Sequence, residues 1–480
     1  MKLKIALATA TTMALVMGSA YAGSNNNAVL VQDGTGNTAS ATQSAGSINT
    51  TKAYQDGDGN VIDVEQTGLR NNAGTHLPGG LPLSYDPSDP ARGYNFMSQV
   101  GSNNTLSILQ TLNGNNVAAN GSVKQLGNHN EADVTQQGGT NNIYGGVGGT
   151  VNNIWQTSST AAAALTNKVT ISQQGAAPGT YASPSGGSDY NYAPELIGKV
   201  EQIHTGGAAN TLTLTQIGGI HSAGNTINLA YQNGAGNSGT ATQTGRRNFI
   251  QTLSQDSSLA ASGNTYVIAM TGDRNGLGGL AGAAAAAGAL SSSIVQIGGG
   301  NDVNYQVLGG DDNQFGFRQD GSDNKAIGIT VTGDRNDLGV SQTGTDNQLS
   351  LGSIAGDDNN VGLVQDGTSN RAEVTITSSL GFGDRNGGQN GFTHSVPSGL
   401  TAGLLEQYGT SNSVTLNVSG NDNVFATKQD NSLTVGGTLK NTIVGTITGD
   451  DNEAAVIQVG NNNTTNFTQT GGGNFVSVSQ

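Results

Sequence analysis

A short phrase recurs along this chain: a glutamine, a glycine two residues later, an asparagine three residues after that, and then alternating positions that end on another glutamine. It occupies residues 55–66 near the start and 458–469 near the end, and its two glutamines are eleven positions apart in both copies. A fixed short period is typical of repeat architectures, in which each unit buries its apolar side chains only against its neighbours. The repeat therefore predicts a stack of similar units rather than one globular core.

Alternation within each copy predicts the type of element. In residues 130–136, Asn130, Ala132 and Val134 fall on one face of an extended chain, and Glu131 and Asp133 fall on the other. A period of two is typical of a β-strand. The same alternation recurs at 370–376, 452–458 and 474–480. Glycine begins the connection between copies, as expected of a turn, and all eight prolines lie outside the repeats.

Two copies make one unit. Between Gly298 and Gly367 the step from glycine to glycine alternates between twelve and eleven positions, so the full unit there is a 23-residue one, whereas elsewhere it is nearer twenty-two. Each unit is predicted to form a flattened coil of two strands and two turns. In successive coils, Leu308, Val331 and Ile354 are predicted to occupy the same position. The predicted fold is all-β: a β-solenoid of stacked 22–23-residue strand-turn-strand coils with loop insertions.

Inward amides at one place in every coil are expected to bond to the copies above and below, which satisfies buried polar groups and fixes register. The alternative, a low-complexity polar linker, does not explain the fixed phase of these amides against the apolar positions. The predicted assembly ladder consists of Gln55, Asn60, Gln66, Gln125, Asn130, Gln136, Gln296, Gln319, Gln342, Gln365, Asn452, Gln458, Asn463, Gln469, Asn474 and Gln480.

The segment 1–22 is predicted to be a signal peptide, because Lys2 and Lys4 precede an apolar run and cleavage is expected after Ala22. No later segment is apolar enough to span a membrane. The remaining segments are repeats at 23–71, a Pro-rich insertion at 72–95, repeats at 96–174, a Pro/Gly/Ser insertion at 175–195, degenerate repeats at 196–275, a Gly/Ala-rich insertion at 276–295 with a loop or a short helix, regular 23-residue repeats at 296–386, an insertion at 387–408 and C-terminal repeats at 409–480.

Composition excludes several functional classes. The net charge of −15 argues against nucleic acid as the main partner, because phosphate binding needs clustered Lys and Arg. The chain has no cysteine, and its five histidines are scattered outside metal-ligand spacing. We therefore predict no catalytic residues, no cofactor and no metal site, and we do not expect an enzyme.

One class of turn is acidic, with Gly-Asp-Asp-Asn at Gly310 and Gly356 and Gly-Asp-Arg-Asn at Gly333. Because these turns recur once in every unit of the regular run, they are expected to line one edge of the stack. A calcium ladder is one interpretation. Turn propensity, together with charge that slows self-association, is the favoured one, because Arg274, Arg335 and Arg385 occupy positions where a metal would need ligands.

The phrase Gln-x-Gly-x-x-Asn-x-Ala-x-Val-x-Gln resembles the curlin repeat of curli fibre subunits, and residues 125–136 match it at every motif position. The resemblance covers most of the chain outside the insertions. It implies a β-solenoid that polymerises into extracellular functional amyloid for cell adhesion and biofilm matrix. The implied partners are further copies of this chain or related curlin-type subunits, together with an outer-membrane export pore.

Two functions follow as expectations. The first is an exported structural protein that assembles end to end as a cell-surface fibre. The alternative is a monomeric surface adhesin or binding solenoid, or an accessory nucleator, whose insertions at 72–95, 175–195 and 387–408 contact a ligand. The chain is much longer than curli subunits usually are, and its repeats begin almost at Gly23.

Overall fold

A computed structural model describes the chain at residues 26–44, 49–68, 71–73, 97–111, 116–117, 122–136, 142–143, 152–158, 165–173, 196–197, 200–218, 225–227, 229–258, 260–378, 391–432 and 440–480. The predicted signal peptide lies outside these residues, as do most of the insertions at 72–95 and 175–195. The chain divides into two compact units, Met1–Arg246 and Arg247–Gln480.

Each unit consists of two parallel sheets, called here the first sheet and the second sheet, and the chain alternates between them. Inward residues of the two sheets form a narrow core of Ile, Val, Leu and Ala side chains. Within a unit, each strand pairs with the strand at the same place one coil before and one coil after it, as β-strands of a solenoid do. The predicted all-β, solenoid-like fold is therefore confirmed.

Unit 1 contains several strands of only two residues beside longer ones. Its first sheet holds β1 (Asn27–Asp33), β3 (Thr50–Asp56), β5 (Asn72–Ala73), β6 (Met97–Val100), β8 (Asn116–Val117), β9 (Ser122–Leu126), β11 (Asn142–Ile143), β12 (Asn152–Ser158), β14 (Leu196–Ile197), β15 (Val200–His204), β17 (Thr226–Ile227) and β18 (Ala230–Gly234). Its second sheet holds β2 (Thr38–Ser44), β4 (Val61–Thr67), β7 (Thr105–Gln110), β10 (Asn130–Gln136), β13 (Asn167–Gln173), β16 (Asn210–Gly218) and β19 (Ser238–Gly245).

Unit 2 is the more regular one. Its first sheet holds β20 (Phe249–Ile250), β21 (Thr252–Asp256), β23 (Ser293–Gly299), β25 (Gln314–Ser322), β27 (Asp337–Thr345), β29 (Asn360–Thr368), β31 (Leu404–Thr410), β33 (Val424–Asp430), β35 (Glu453–Val459) and β37 (Phe475–Ser479). Its second sheet holds β22 (Thr265–Thr271), β24 (Asp302–Leu308), β26 (Lys325–Thr332), β28 (Gln348–Ala355), β30 (Arg371–Thr377), β32 (Ser413–Ser419), β34 (Thr442–Thr448) and β36 (Thr464–Thr470).

The described part of the chain has one helix, α1 (Gly282–Ala286), in the segment predicted as a loop or a short helix. The strand that follows, β23, begins at Ser293. In unit 1 several strands of the first sheet are split: β3 pairs with β5 at Thr50–Asn72 and with β6 at Ala53–Met97. Two segments that are separated in the sequence therefore pair with successive parts of the single strand β3.

The step of twelve from Gly321 to Gly333 contains an extra residue within its strand. Val303 pairs with Ala326, but Tyr305 pairs with Ile329, so β26 contains one extra residue, at a bulge beside Gly328. Val331 consequently faces Val307 and Ile354 in the neighbouring coils. The prediction that Leu308 shares this position was wrong by one residue, and Leu308 is instead 53% exposed on the outer face.

Candidate functional site: stacked amides and the two terminal coils

The first sheet of each unit contains a continuous column of glutamines, which are buried except for Gln480 at its end. In unit 1, each Gln Nε2 donates to the Oε1 of the next glutamine at 2.7–2.9 Å, through Gln32, Gln55, Gln99, Gln125, Gln156, Gln202 and Gln232. In unit 2, the same bond of 2.7–3.1 Å links Gln255, Gln296, Gln319, Gln342, Gln365, Gln407, Gln429, Gln458 and Gln480. All of these bonds run in one direction along the chain.

Most of these glutamines also tie the two sheets together. Gln342 Nε2 donates to the carbonyl oxygen of Lys325, in the second sheet, at 2.9 Å as well as to Gln365 at 2.7 Å. The side chain is fully buried. An amide in this place satisfies its polar atoms only if the coils above and below are in register, so the column fixes the register of the stack.

The second sheet differs between the units. In unit 1, Gln43, Gln66 and Gln110 are linked in the same way at 2.8 Å, and the backbone of Gln136 lies in register with that of Gln110. In unit 2 the equivalent column is apolar, and it consists of Met270, Val307, Val331, Ile354, Ile376, Val418 and Ile447 before it ends on Gln469. The predicted ladder residue Gln469 thus follows an isoleucine and donates to the carbonyl oxygens of Glu453 and Asn474 instead.

Asparagines form two further columns, one at the entry to each sheet. The Nδ2 of Asn347 donates to Asn324 Oδ1 at 3.0 Å, and its backbone N–H donates to the same oxygen at 3.2 Å. Its Nδ2 also reaches the carbonyl oxygen of Gly367, which begins a turn of the next coil, at 3.0 Å. One side chain therefore joins three successive coils and satisfies turn groups that no strand would pair.

The remaining predicted ladder residues lie in these columns. Gln55, Gln125, Gln296, Gln319, Gln365 and Gln458 are members of the glutamine column of the first sheet, Gln66 of that in the second sheet, and Asn60, Asn130, Asn452, Asn463 and Asn474 of the asparagine columns. Other members, such as Gln99, Gln156 and Gln202, were not predicted because insertions obscure their spacing. Of these three, Gln99 keeps a detectable signal, since Gly101 follows it two residues later as in a regular copy.

Turns stack as closely as the strands. Gly321 has a φ of +126°, and a Cβ atom built on it would overlap the carbonyl oxygen of Gly344 one coil further on. The third residue of the same turn, Asp323, has a φ of +57°. Two left-handed residues per turn explain why glycine comes first and why Asp, Asn, Ser and Arg occupy the third place.

The acidic turns of unit 2 lie on one edge, as their spacing predicted. The backbone N–H of Asp311 donates to Asp334 Oδ1 at 2.8 Å, and that of Asp334 donates to Asp357 Oδ1 at 2.7 Å. Beside them, Arg335 donates to both carboxylate oxygens of Asp358 at 2.9 and 3.0 Å. Arg274 holds Asp312 in the same way, so the column alternates in charge and its carboxylates bind turn amides and guanidinium groups.

Neither a metal centre nor a membrane-spanning helix emerges from the described ranges. No group of three or more His, Cys, Asp or Glu residues there could hold a metal ion. None of the helices in those ranges is long and apolar enough to cross a bilayer.

The last coil is built from the same side chains as the one before it, yet it is open. Asn452, Ala454, Val456 and Gln458 are buried, whereas their partners Asn474, Val476 and Val478 are half-buried and Gln480 is exposed. In the described residues, β37 pairs only with β35, and β36 only with β34. The outer backbone edges of both strands therefore offer unpaired hydrogen-bonding groups.

Comparison with known proteins gives one family. Residues 449–480 match the model of the Curlin associated repeat. They comprise the last two first-sheet strands, β35 and β37, with β36 between them. No curated protein matches the chain.

Proposed function

We propose, from the premise that this chain is a curlin-repeat protein, that it is an extracellular subunit that adds end to end into amyloid fibres used in cell adhesion and biofilm matrix. The observation that carries the proposal is the open last coil, whose inward side chains are those of a buried coil without a partner. The signal peptide predicted at 1–22 supports export, and the partners we propose are further copies of this chain or related curlin-type subunits, delivered through an outer-membrane export pore.

The first described coil matches the last in pattern. Gln32 lies six residues after Asn26, and Gln480 lies six residues after Asn474. With Gln480 of one copy against Gln32 of the next, Val478 would face Leu30 and Val476 would face Ala28. Leu30 and Ala28 are only half-buried in the single chain, so this contact would complete the burial of both coils.

The direction of the glutamine bonds favours the same arrangement. Gln32 uses its Nε2 to reach Gln55 Oε1, and at the other end Gln480 uses its Oε1 to accept from Gln458. A tail-to-head contact would therefore place the Nε2 of Gln480 against the Oε1 of Gln32 and continue the column without a break. A head-to-head contact would oppose two acceptors.

Side-chain size is complementary in the second sheet. Phe467 in β36 pairs with Gly445 in β34. The ring of Phe467 occupies the space that a Cβ atom on Gly445 would need. In the first coil the inward residues of β2 are the small Ala39 and Ala41. Phe467 of one copy would be accommodated by Ala41 of the next, as large and small residues alternate in a well-packed core.

The test is an assembly time course on residues 23–480, followed by amyloid-dye fluorescence and by electron microscopy of the same samples. A variant with Val478→Asp places a charge on the inward face of the open end, and Ser477→Asp places the same charge on the outer face of the same strand. We expect the wild type and Ser477→Asp to form seedable fibres and Val478→Asp to form none. Since its first coil is intact, Val478→Asp should also stop growth of wild-type fibres when added at substoichiometric amounts.

Other outcomes of these experiments would contradict the proposal. A wild-type chain that stays monomeric and β-rich, and that no seed recruits, would contradict the proposal and favour a monomeric adhesin. In that case, deletion of the parts of the three predicted insertions that lie outside β5 and β31, residues 74–95, 175–195 and 387–403, should abolish surface binding. Fibres formed equally well by Val478→Asp would show that assembly does not use the open coil. Circular dichroism of each variant establishes that the charge has not unfolded the chain.

A further inference from the structure

The outer face of the first sheet in unit 2 carries a column of glycines. Gly316 of β25 pairs with Gly339 of β27, and Gly339 pairs with Gly362 of β29. All three alternate with inward residues, so they point away from the core. The equivalent outward places in the second sheet hold exposed polar residues such as Lys325, Ser350 and Glu373. The glycines thus form an uncharged trough on the outer face of the first sheet, at places where the second sheet carries polar side chains.

The chain fills this trough with its own insertion. A Cβ atom on Gly316 would overlap the carbonyl oxygen of Leu290, one on Gly339 that of Ala284, and one on Gly362 that of Ala283. The glycines are therefore what allows α1 and its flanks to lie directly on the strands. Ala283 and Ala284 are fully buried by this contact, although they belong to a surface segment.

A row of outward polar side chains beside the glycines anchors the insertion. Gln314 Oε1 accepts from the backbone N–H of Gly278 at 2.8 Å. Asn360 donates to the carbonyl oxygen of Ala281 at 2.9 Å and accepts from the N–H of Ala284 at 3.1 Å. Gln314 is 8% exposed and Asn360 is fully buried. These amides satisfy the backbone of the insertion as a neighbouring strand would.

A second segment continues the covering toward the C-terminus. Between the two segments, Leu404 of β31 packs beneath Ala283 and Ala287 of the first one. Further on, Glu453 Oε1 accepts from the backbone N–H of Thr393 at 2.8 Å, and its Oε2 lies 3.0 Å from His394 Nδ1. The His394 ring stacks on Phe475 of the last strand, with ring centroids 4.6 Å apart. We call residues 276–292 and 391–403 together the cover.

The residues beneath the cover have the features of a lateral packing face. Beyond the glycines, the outward column continues through Leu404, Ala426 and Ala455, and the latter two are fully buried. A flat ladder of small side chains on in-register parallel strands is the surface by which two sheets pack in a dry, interdigitated interface. The cover replaces this ladder with a short helix and an irregular segment, which have no repeat that a second sheet could match.

We infer that this face of the first sheet would pack against the same face of a second copy, and that the cover occupies it so that association is confined to the ends of the chain. The inference rests on the proposed end-to-end assembly for its biological meaning. The lateral contact itself is independent of that assembly, and it can be measured on chains that cannot grow.

The deciding variant removes residues 277–291. The hydroxyl of Ser292 already bonds to the carbonyl oxygen of Gly276, so the new junction joins neighbouring groups. After the deletion, the step from Gly272 to Gly298 falls from twenty-six positions to eleven, and Asn275 again lies six positions before Gln296, as in a regular coil. The deletion therefore exposes the trough while it restores the repeat.

The measurement has two arms. In the Val478→Asp background, where end-to-end growth is blocked, light scattering after size-exclusion chromatography should show a monomer for the full chain and about twice that mass for the deletion, as expected of two paired sheets. In the unblocked chain, the deletion should give fibres about twice as wide, or bundles, in the same comparison. Replacing Gly316, Gly339 and Gly362 by Lys within the deletion should restore the monomer and the single fibre.

The two proposals fail differently. If wild-type chains form no fibres but the blocked deletion variant dimerises, end-to-end assembly is wrong and the lateral face stands. If the deletion variant is folded by circular dichroism, stays monomeric and gives fibres of wild-type width, the lateral face is overturned. Should the deletion not fold, the full-length variant Gln314→Ala/Asn360→Ala removes the anchors. Protease cleavage within 277–291 should then accelerate together with dimerisation, and faster cleavage without dimerisation contradicts the inference.

Discussion

Arg335 and Asp358 lie one coil apart and form a two-pronged ion pair, in which Nε and one terminal nitrogen of the arginine donate to the two carboxylate oxygens at 2.9 and 3.0 Å. The same arginine lies 3.5 Å from Asp357 and 3.8 Å from Asp334. A single cation therefore balances the acidic turns of successive coils.

Replacement of Arg335 by Gln should lower the free energy of unfolding by about 1 kcal/mol, because Asp357 and Asp358 lose their cation while they remain mostly buried. Arg318→Gln, which breaks an exposed pair with Asp320, is the matched control and should cost less than about 0.5 kcal/mol. Urea unfolding at low and high salt measures both. A wild-type chain stabilised by calcium, or destabilised by a chelator, would contradict this account of the acidic edge.

Replacement of Gln342 by Leu should destabilise the chain by about 2 kcal/mol, because the Oε1 of Gln365 loses its donor inside the stack. Gln319 suffers less, since its Nε2 keeps the carbonyl oxygens of Asp302 and Asn324 as acceptors. The neighbouring outward substitution Ser341→Ala should be nearly neutral. Denaturant midpoints of the three chains check this, and equal midpoints for Gln342→Leu and Ser341→Ala would show that the column contributes little to stability.

The two left-handed residues of one turn should respond differently. Gly321→Ala introduces a Cβ atom at a φ of +126° and against the carbonyl oxygen of Gly344, so a loss of about 2 kcal/mol or more is expected. Asp323→Gly, at a φ of +57° in the same turn, should change stability by less than about 1 kcal/mol. Thermal unfolding of both variants is the measurement. A harmless Gly321→Ala would mean that the turns can move apart.

Docking of the cover should depend on pH through Asp337. Burial raises the pKa of this carboxyl from 3.8 to about 6, although it accepts hydrogen bonds from the N–H of Ala281 and from Asn360. The carboxylate of Asp358 also raises this pKa, and residues 276–292 carry no ionisable side chain. With the cover released, the carboxyl would return to its ordinary pKa.

Because the pKa is higher in the docked state, docking is most favourable below about pH 4 and weakens as the pH rises through 6, by up to about 3 kcal/mol. Hydrogen exchange of the amides of residues 281–287 at pH 5 and pH 8 measures the change. Exchange corrected for its intrinsic pH dependence should be faster at pH 8 in the wild type and equal at both values in Asp337→Asn. An unchanged pH response in Asp337→Asn would assign the effect to another group.

Much of the fold could be predicted from the sequence, because its determinants are local and repeated. The alternation of Ala132 and Val134 with Glu131 and Asp133 predicts a strand and its inner face. The spacing of Gln319 and Gln342 predicts that their side chains are in contact. The bulge beside Gly328 could not be predicted, since a step of twelve residues between glycines shows an extra residue but not whether it lies in the strand or in the turn.

The docking of the cover could not be predicted from the sequence, for a different reason. Gly339, Asn360 and Glu453 are ordinary strand residues by pattern, and their roles depend on where an aperiodic segment returns to the stack. The alanines of α1 carry no polar or large apolar group that would indicate a docking surface. The missing glutamine at Val331 and Ile354 was visible in the sequence as a departure from the motif. This departure places an apolar column in one sheet opposite an amide column in the other. That arrangement could be recognised only once the structure had placed both sheets.

The split strands of unit 1 have a practical consequence. Thr50 still pairs with Asn72 and Ala53 with Met97, although the whole of segment 74–96 lies between Ala73 and Met97. The chain can thus lengthen or shorten at this point without shifting any partner in the ladder. Foreign sequence grafted there, such as an epitope or a small enzyme, would be held at one fixed place along β3, and in the proposed fibre it would recur once in every chain.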